Sequence, residues 1–314
     1  MRRKSVRLWL LTASLAVCAA LSLLSCSSNE GNASQPNVAR IEQRGALLVG
    51  TTGDYRPLSF REPDGNYWGF DIDMARKIAE RLKVHCRFVP TSWPTLTADV
   101  QAEPPTFDLA IGGITVTDAR RQTMLMSDGY LANGKTILCR AEDAARYQSL
   151  TDIDRPEVRV MVNPGGLNEK FAREHLTRAN LIIHEKNDEI PSLIARSEAD
   201  IMITEITEAP YYVQTDRRLA APLLERPFNR GEIGVLMRRG QDDLLQTVND
   251  IIRQMKADGS LRRLHEKYGL SFRDCLPKPE SWPWWRRSSA RRTWPSRCRC
   301  PSRPSSCRCP CTQP

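Results

Sequence analysis

Histidine is scarce in this chain. The 314 residues hold four, at 85, 175, 184 and 265, and they are scattered. No His or Cys pair has the spacing of a metal site, so neither a metal nor another cofactor is expected. No Ser/His/Asp or Cys/His arrangement points to a covalent nucleophile. Ten cysteines suggest a disulfide framework by number, but not by position. Cys18 and Cys26 lie near the N-terminus, and Cys298, Cys300, Cys307, Cys309 and Cys311 lie near the other end. Only Cys86, Cys139 and Cys275 remain between, enough for one bridge that the sequence does not assign.

Excess charge is also missing from the middle. The net charge is +9, yet residues 1–25 carry four basic and no acidic side chains, and residues 276–314 carry nine basic and one acidic. The stretch between is left at −3, which gives a nucleic-acid partner no support. The apolar run Leu8 to Leu24 is too short, and wrongly flanked by Arg2-Arg3-Lys4, for an ordinary membrane span. Residues 1–25 therefore read as an export signal. Leu23-Leu24-Ser25-Cys26 resembles a bacterial lipobox, which implies acylation of Cys26 and a lipid anchor in a membrane. Residues 26–37 read as a polar tether to a periplasmic, oxidising location. Residues 276–314 repeat Arg, Ser, Pro and Cys without apolar periodicity. They read as a disordered tail whose composition fits translation past a frameshift.

The most informative segment is Val162-Asn163-Pro164-Gly165-Gly166-Leu167-Asn168-Glu169. It reads as a strand end, a Gly-Gly turn and a helix start. Glycine permits the tight turn, and free N–H groups at a helix start favour an anion. Thr204-Glu205-Ile206-Thr207-Glu208 follows a second apolar run, so two strand ends can face one cleft. Elsewhere strands are expected at 46–50, 85–89, 107–111, 158–162, 181–184, 200–204 and 233–237. Helices are expected at 71–84, from 95, at 168–178, 188–197, 242–258 and 261–268. Pro63-Asp64-Gly65-Asn66 signals a hairpin. Alternation of strand and helix implies parallel α/β units, which bind ligands beyond the carboxyl ends of their strands.

Gly69-Phe70-Asp71-Ile72-Asp73-Met74-Ala75 and Gly112-Gly113-Ile114-Thr115-Val116-Thr117-Asp118-Ala119-Arg120 resemble two signatures of the family 3 periplasmic solute-binding proteins. The resemblance implies an α/β type II periplasmic-binding-protein fold. Two lobes, 38–137 with 231–275 and 138–230, would be joined by two hinge strands across a ligand cleft. Helix capping is the expected role of Asp71 and Asp73. Within that superfamily, Thr51-Thr52-Gly53-Asp54-Tyr55, Thr91-Ser92-Trp93-Pro94, Gly134-Lys135-Thr136, the Asn163–Asn168 turn and Glu208-Ala209 resemble the cyclohexadienyl dehydratases. These act on prephenate and L-arogenate.

That resemblance implies roles at the matching positions. Arg120 would clamp a substrate carboxylate and Lys135 would meet a second one. Asn163 and Asn168 would belong to the pocket, and Glu208 would be the general acid. Thr115, Asp54, Tyr55, Trp93, Gly166 and Glu205 complete the expected binding set. Two positions depart from the pattern: Leu167 replaces a usual Thr, and Glu205 replaces a usual Asp. The competing class is a non-catalytic receptor for an amino acid or other polar solute, serving an ABC permease. The two asparagines with Glu208 favour the enzyme.

Overall fold

The fold is taken from a computed structural model that describes residues 36–270. The signal expected at 1–25, the expected acylation site Cys26, nearly all of the expected tether, Cys275 and the tail expected at 276–314 lie outside the described residues. The described chain begins with a helix the sequence does not announce, Asn37–Arg44, which buries Ile41 and stops at left-handed Gly45.

Two five-stranded sheets carry the fold. The first runs in the order His85–Pro90, Ala46–Thr51, Leu109–Ala110, Leu236–Met237, Leu125–Met126. Its first three strands are parallel, with Ala46 opposite His85 and Thr51 opposite Pro90. Its core rests on helix Phe70–Arg81, whose Phe70, Met74, Ala75, Ile78 and Ala79 are buried. Helix Asp242–Ala257 adds Leu244, Val248, Ile251, Ile252 and Met255 to the same core. These three- and four-residue spacings are the apolar stripe of a helix against a sheet.

The second sheet runs Asn180–Ile183, Arg159–Val162, Ile201–Glu205, Lys135–Arg140, Leu219–Ala220. Lys135–Arg140 is antiparallel to Ile201–Glu205 and sets Lys135 directly opposite Glu205. The sequence gives no sign of this strand, because Lys135 through Cys139 are all buried and show no alternation.

The chain passes between the two sheets twice, as the antiparallel strands Leu131–Asn133 and Gly231–Ile233. The single strand expected at 233–237 is in fact two. Ile233 pairs with Leu131, whereas Leu236 pairs with Ala110 and Met126. The strand changes sheets at Gly234, where a Cβ would lie 2.8 Å from Val116.

Smaller differences have local causes. The helix expected to reach residue 84 ends at Arg81, and Lys83 turns left-handed at φ 58°. The helix expected at 188–197 is a 3-10 turn, Asn187–Glu189, followed by Ile190–Ala195. The hairpin gains a third strand, Asp54–Tyr55, paired with Ser59–Arg61. Cys86 and Cys139 are both free thiols. Among the described residues, no helix is long and apolar enough to cross a membrane.

Candidate functional site

The ends of the two sheets converge on one narrow cleft. From the first lobe it is lined by Tyr55, Trp93, Gly113, Thr115 and Arg120. Each follows a strand of the parallel sheet, as the strand-end rule requires. From the second lobe come Lys135, Asn163, Gly166, Leu167, Asn168 and Glu205. Two residues named from the sequence, Asp54 and Glu208, do not line the cleft. The Asp54 carboxylate stands behind Trp93 and accepts its indole N–H at 3.1 Å. Glu208 is wholly buried beyond Glu205.

Arg120 is held by its own helix terminus. Its guanidinium donates to the Thr115 carbonyl at 2.6 Å, and its backbone N–H is capped by the Thr117 hydroxyl. It forms no ion pair with any described acid, and burial lowers its pKa from the ordinary arginine value, with the Glu205 charge opposing. A planar fork left free of carboxylates in a cleft suits a carboxylate ligand.

Lys135 is committed differently. Its ammonium donates to Asn168 Oδ1 at 2.6 Å and to Glu205 Oε1 at 2.7 Å. Both ends of the ion pair are buried, at 5% and 4% exposure. Tyr55 and Thr115 reach across from the first lobe to donate to the same Glu205 carboxylate. Tyr55 also packs edge-on against Trp93, with ring centroids 5.9 Å apart.

The two glutamates differ in charge state. Burial alone would raise Glu205, but the Lys135 charge and its hydrogen bond, with Tyr55 and Asn133, hold its pKa below the ordinary carboxylate value. Among the described residues, Glu208 takes its hydrogen bonds from neutral donors and forms no ion pair. Burial pushes its pKa up to about 8, helped by the negative charges of Glu205 and Asp54. The Thr204 hydroxyl and the Asn187 amide donate to its two oxygens and only partly offset that rise. Burial thus favours the protonated form of Glu208, next to a carboxylate that Lys135 holds in its ionised form.

Three expectations change here. Gly165 does take a left-handed φ of 75°, but its N–H is not free for an external anion. It donates to Glu169 Oε2 at 2.7 Å, a carboxylate from the first turn of the following helix. Asp71 is no helix cap. It is fully buried and accepts the Gly113 N–H at 2.5 Å and the Tyr130 hydroxyl at 2.9 Å, tying the cleft loop to the start of a hinge strand. Burial raises its pKa to about 7. Asp73 instead pairs on the surface with Arg76 and Lys267. Asn187, which contacts Glu208, has no signal in the polar run Lys186-Asn187-Asp188-Glu189. No group of three or more His, Cys, Asp or Glu among the described residues could hold a metal.

The model of the bacterial extracellular solute-binding proteins, family 3, matches residues 47–271. The chain belongs to that family. This member has the type II periplasmic-binding-protein fold, with two α/β lobes joined by two hinge strands. It is 37% identical over 255 residues to the cyclohexadienyl dehydratase of Pseudomonas aeruginosa PAO1, covering 81% of this chain and 93% of that protein. It is 28% identical over 254 residues to the L-cystine-binding protein of Escherichia coli K12, covering 79% and 92%. Among solved structures it resembles an ancestral amino acid-binding protein described as a precursor of cyclohexadienyl dehydratase. There the identity is 35% and the TM-score 0.68, over 74% of this chain and 98% of that one.

Proposed function

We propose that this family 3 protein is an exported dehydratase. It would convert prephenate to phenylpyruvate, L-arogenate to L-phenylalanine, or both. The observation that carries this reading is the Glu205–Glu208 pair, one carboxyl ionised by Lys135 and the other neutral by burial. The dehydratase relative of P. aeruginosa supports it. A binding site needs no buried neutral acid, whereas departure of a hydroxyl group does.

The ring hydroxyl leaves poorly as hydroxide. Glu208 would transfer its proton to that oxygen as the carbon–oxygen bond breaks. The ring carboxylate leaves as carbon dioxide, and its bonding electrons complete the aromatic ring. Water is released, and the Glu208 carboxylate is reprotonated from solvent. General acid catalysis of this kind is worth about 10²–10⁴-fold. Arg120 would hold one substrate carboxylate and Lys135 the other, with Asn163 and Asn168 contacting the reacting end. Tyr55 and Trp93 would flank the ring. Glu208 lies deeper than the cleft wall, so the substrate must enter past the Tyr55–Glu205 contact.

The N-terminal reading belongs to the same proposal: export to the periplasm, cleavage before Cys26, and a lipid anchor. So do the lobe limits at 137, 138, 230 and 231. A receptor serving an ABC permease is the second reading. It is favoured by Glu205 and Arg120 lining one cleft, an anion and a cation placed to take the two ends of an amino acid.

Glu208→Gln tests the catalytic reading. The amide keeps the shape but has no carboxylic proton. Turnover should fall by about 10²-fold or more while the substrate dissociation constant stays within a few-fold. A variant that turns over near the parental rate would remove Glu208 from the mechanism.

A further inference from the structure

Asn187 opens the 3-10 turn Asn187–Glu189 of the second lobe and is wholly buried. Its Nδ2 group makes two bonds. One goes to Glu208 Oε1 at 2.7 Å, and the other crosses to the first lobe, to the Asp54 carbonyl at 3.2 Å. Its Oδ1 has no hydrogen-bond partner among the described residues. A side chain that leaves a buried acceptor unpaired is kept in place by its donors. The next residue repeats the crossing, since Asp188 pairs with Arg56 of the first lobe at 3.6 Å.

The two hydrogens of one carboxamide diverge at a fixed angle. Both bonds can therefore form only when the Asp54 loop and Glu208 hold their closed relative position. The other donor to Glu208, the Thr204 hydroxyl, comes from the strand that leads to it and does not depend on closure. We propose that Asn187 is a positioning residue that fixes the Glu208 carboxyl in its working orientation only when the two lobes have closed. The inference rests on the reading of Glu208 as the acid.

The ionisable groups around Glu208 are known from every side. Asp54 and Tyr55 face it from the first lobe, Glu205 from its own strand end, and Tyr212 from helix Ala209–Thr215. Arg56 and Asp188 lie beyond Tyr212. None of these changes when Asn187 alone is replaced. The Asn187 donor favours the Glu208 anion, so its loss raises the pKa further.

The test uses Asn187→Leu, which keeps the branching without a donor, and Asn187→Ala in case leucine prevents folding. In steady-state assays on prephenate and arogenate, kcat should fall by about 10²-fold with KM changed by less than about threefold. Activity needs protonated Glu208, so kcat declines as pH rises through its pKa. In the variants that alkaline decline should move to higher pH. Independently of turnover, an infrared titration of the Glu208 carbonyl band, assigned by its loss in Glu208→Gln, should shift the same way. If the parent dehydrates neither substrate, the dehydratase reading fails, and the infrared midpoint still decides the Asn187–Glu208 coupling. A midpoint unmoved in both variants overturns the inference, as does a fall in kcat without any shift of the alkaline decline.

Discussion

Glu205 and Glu208 leave the same strand end, yet their surroundings shift their pKa values in opposite directions. Lys135 sits across the ladder from Glu205, whereas Glu208 forms no ion pair among the described residues. The sequence places both glutamates beside the cleft but carries no sign of which one lines it. Depth depends on the turn at 206–208, closed by the Glu208 N–H donating to the Glu205 carbonyl at 3.0 Å. Arg120, Lys135 and the two asparagines came from motifs that resemble the family's, and all four line the cleft. Asn187 was not legible, since a buried asparagine in a charged loop looks like any turn residue. At this scale Arg120→Lys is decisive. Lysine keeps the charge and loses the planar fork, so affinity for a dicarboxylate should drop by about tenfold or more, measured by calorimetry. An unchanged affinity would place Arg120 outside the binding site.

The Gly-Gly turn shows what an element contributes beyond its residues. Gly165 takes a left-handed φ of 75°, and a Cβ there would lie 2.5 Å from the Pro94 Cα of the opposite lobe. The turn is thus a contact between lobes as well as a pocket wall. Gly165→Ala should cost about 1–2 kcal/mol from backbone strain alone. Because the clash exists only in the closed form, ligand affinity should weaken by about tenfold, beyond any loss of melting temperature. Equal affinity in the two proteins would mean that the turn does not approach Pro94 on closure. Elements with a clear period, such as Phe70–Arg81 and Asp242–Ala257, could be read from sequence. The Lys135–Arg140 strand could not, and the two hinge strands were expected only from the family resemblance. The hinge strands are three residues long, and Lys135–Arg140 is buried at every residue but Arg140.

Among the described residues, two lobes and a double crossing suit closing over a small solute. Relatives of similar length include a dehydratase and several receptors for amino acids, so the fold alone does not choose between catalysis and capture. The choice lies in what stands behind the cleft wall, the wholly buried Glu208 carboxyl, whose pKa burial raises to about 8. The α/β class and the cleft at the strand ends were legible in the order of the elements, whereas the depth of Glu208 follows from the turn at 206–208. The most direct measurement is to incubate the purified protein with prephenate near pH 7 and follow phenylpyruvate by its absorbance in alkali. The account predicts phenylpyruvate at a rate proportional to protein concentration and well above the uncatalysed background. Prephenate that stays intact at the background rate, in a protein that binds amino acids tightly, would contradict it.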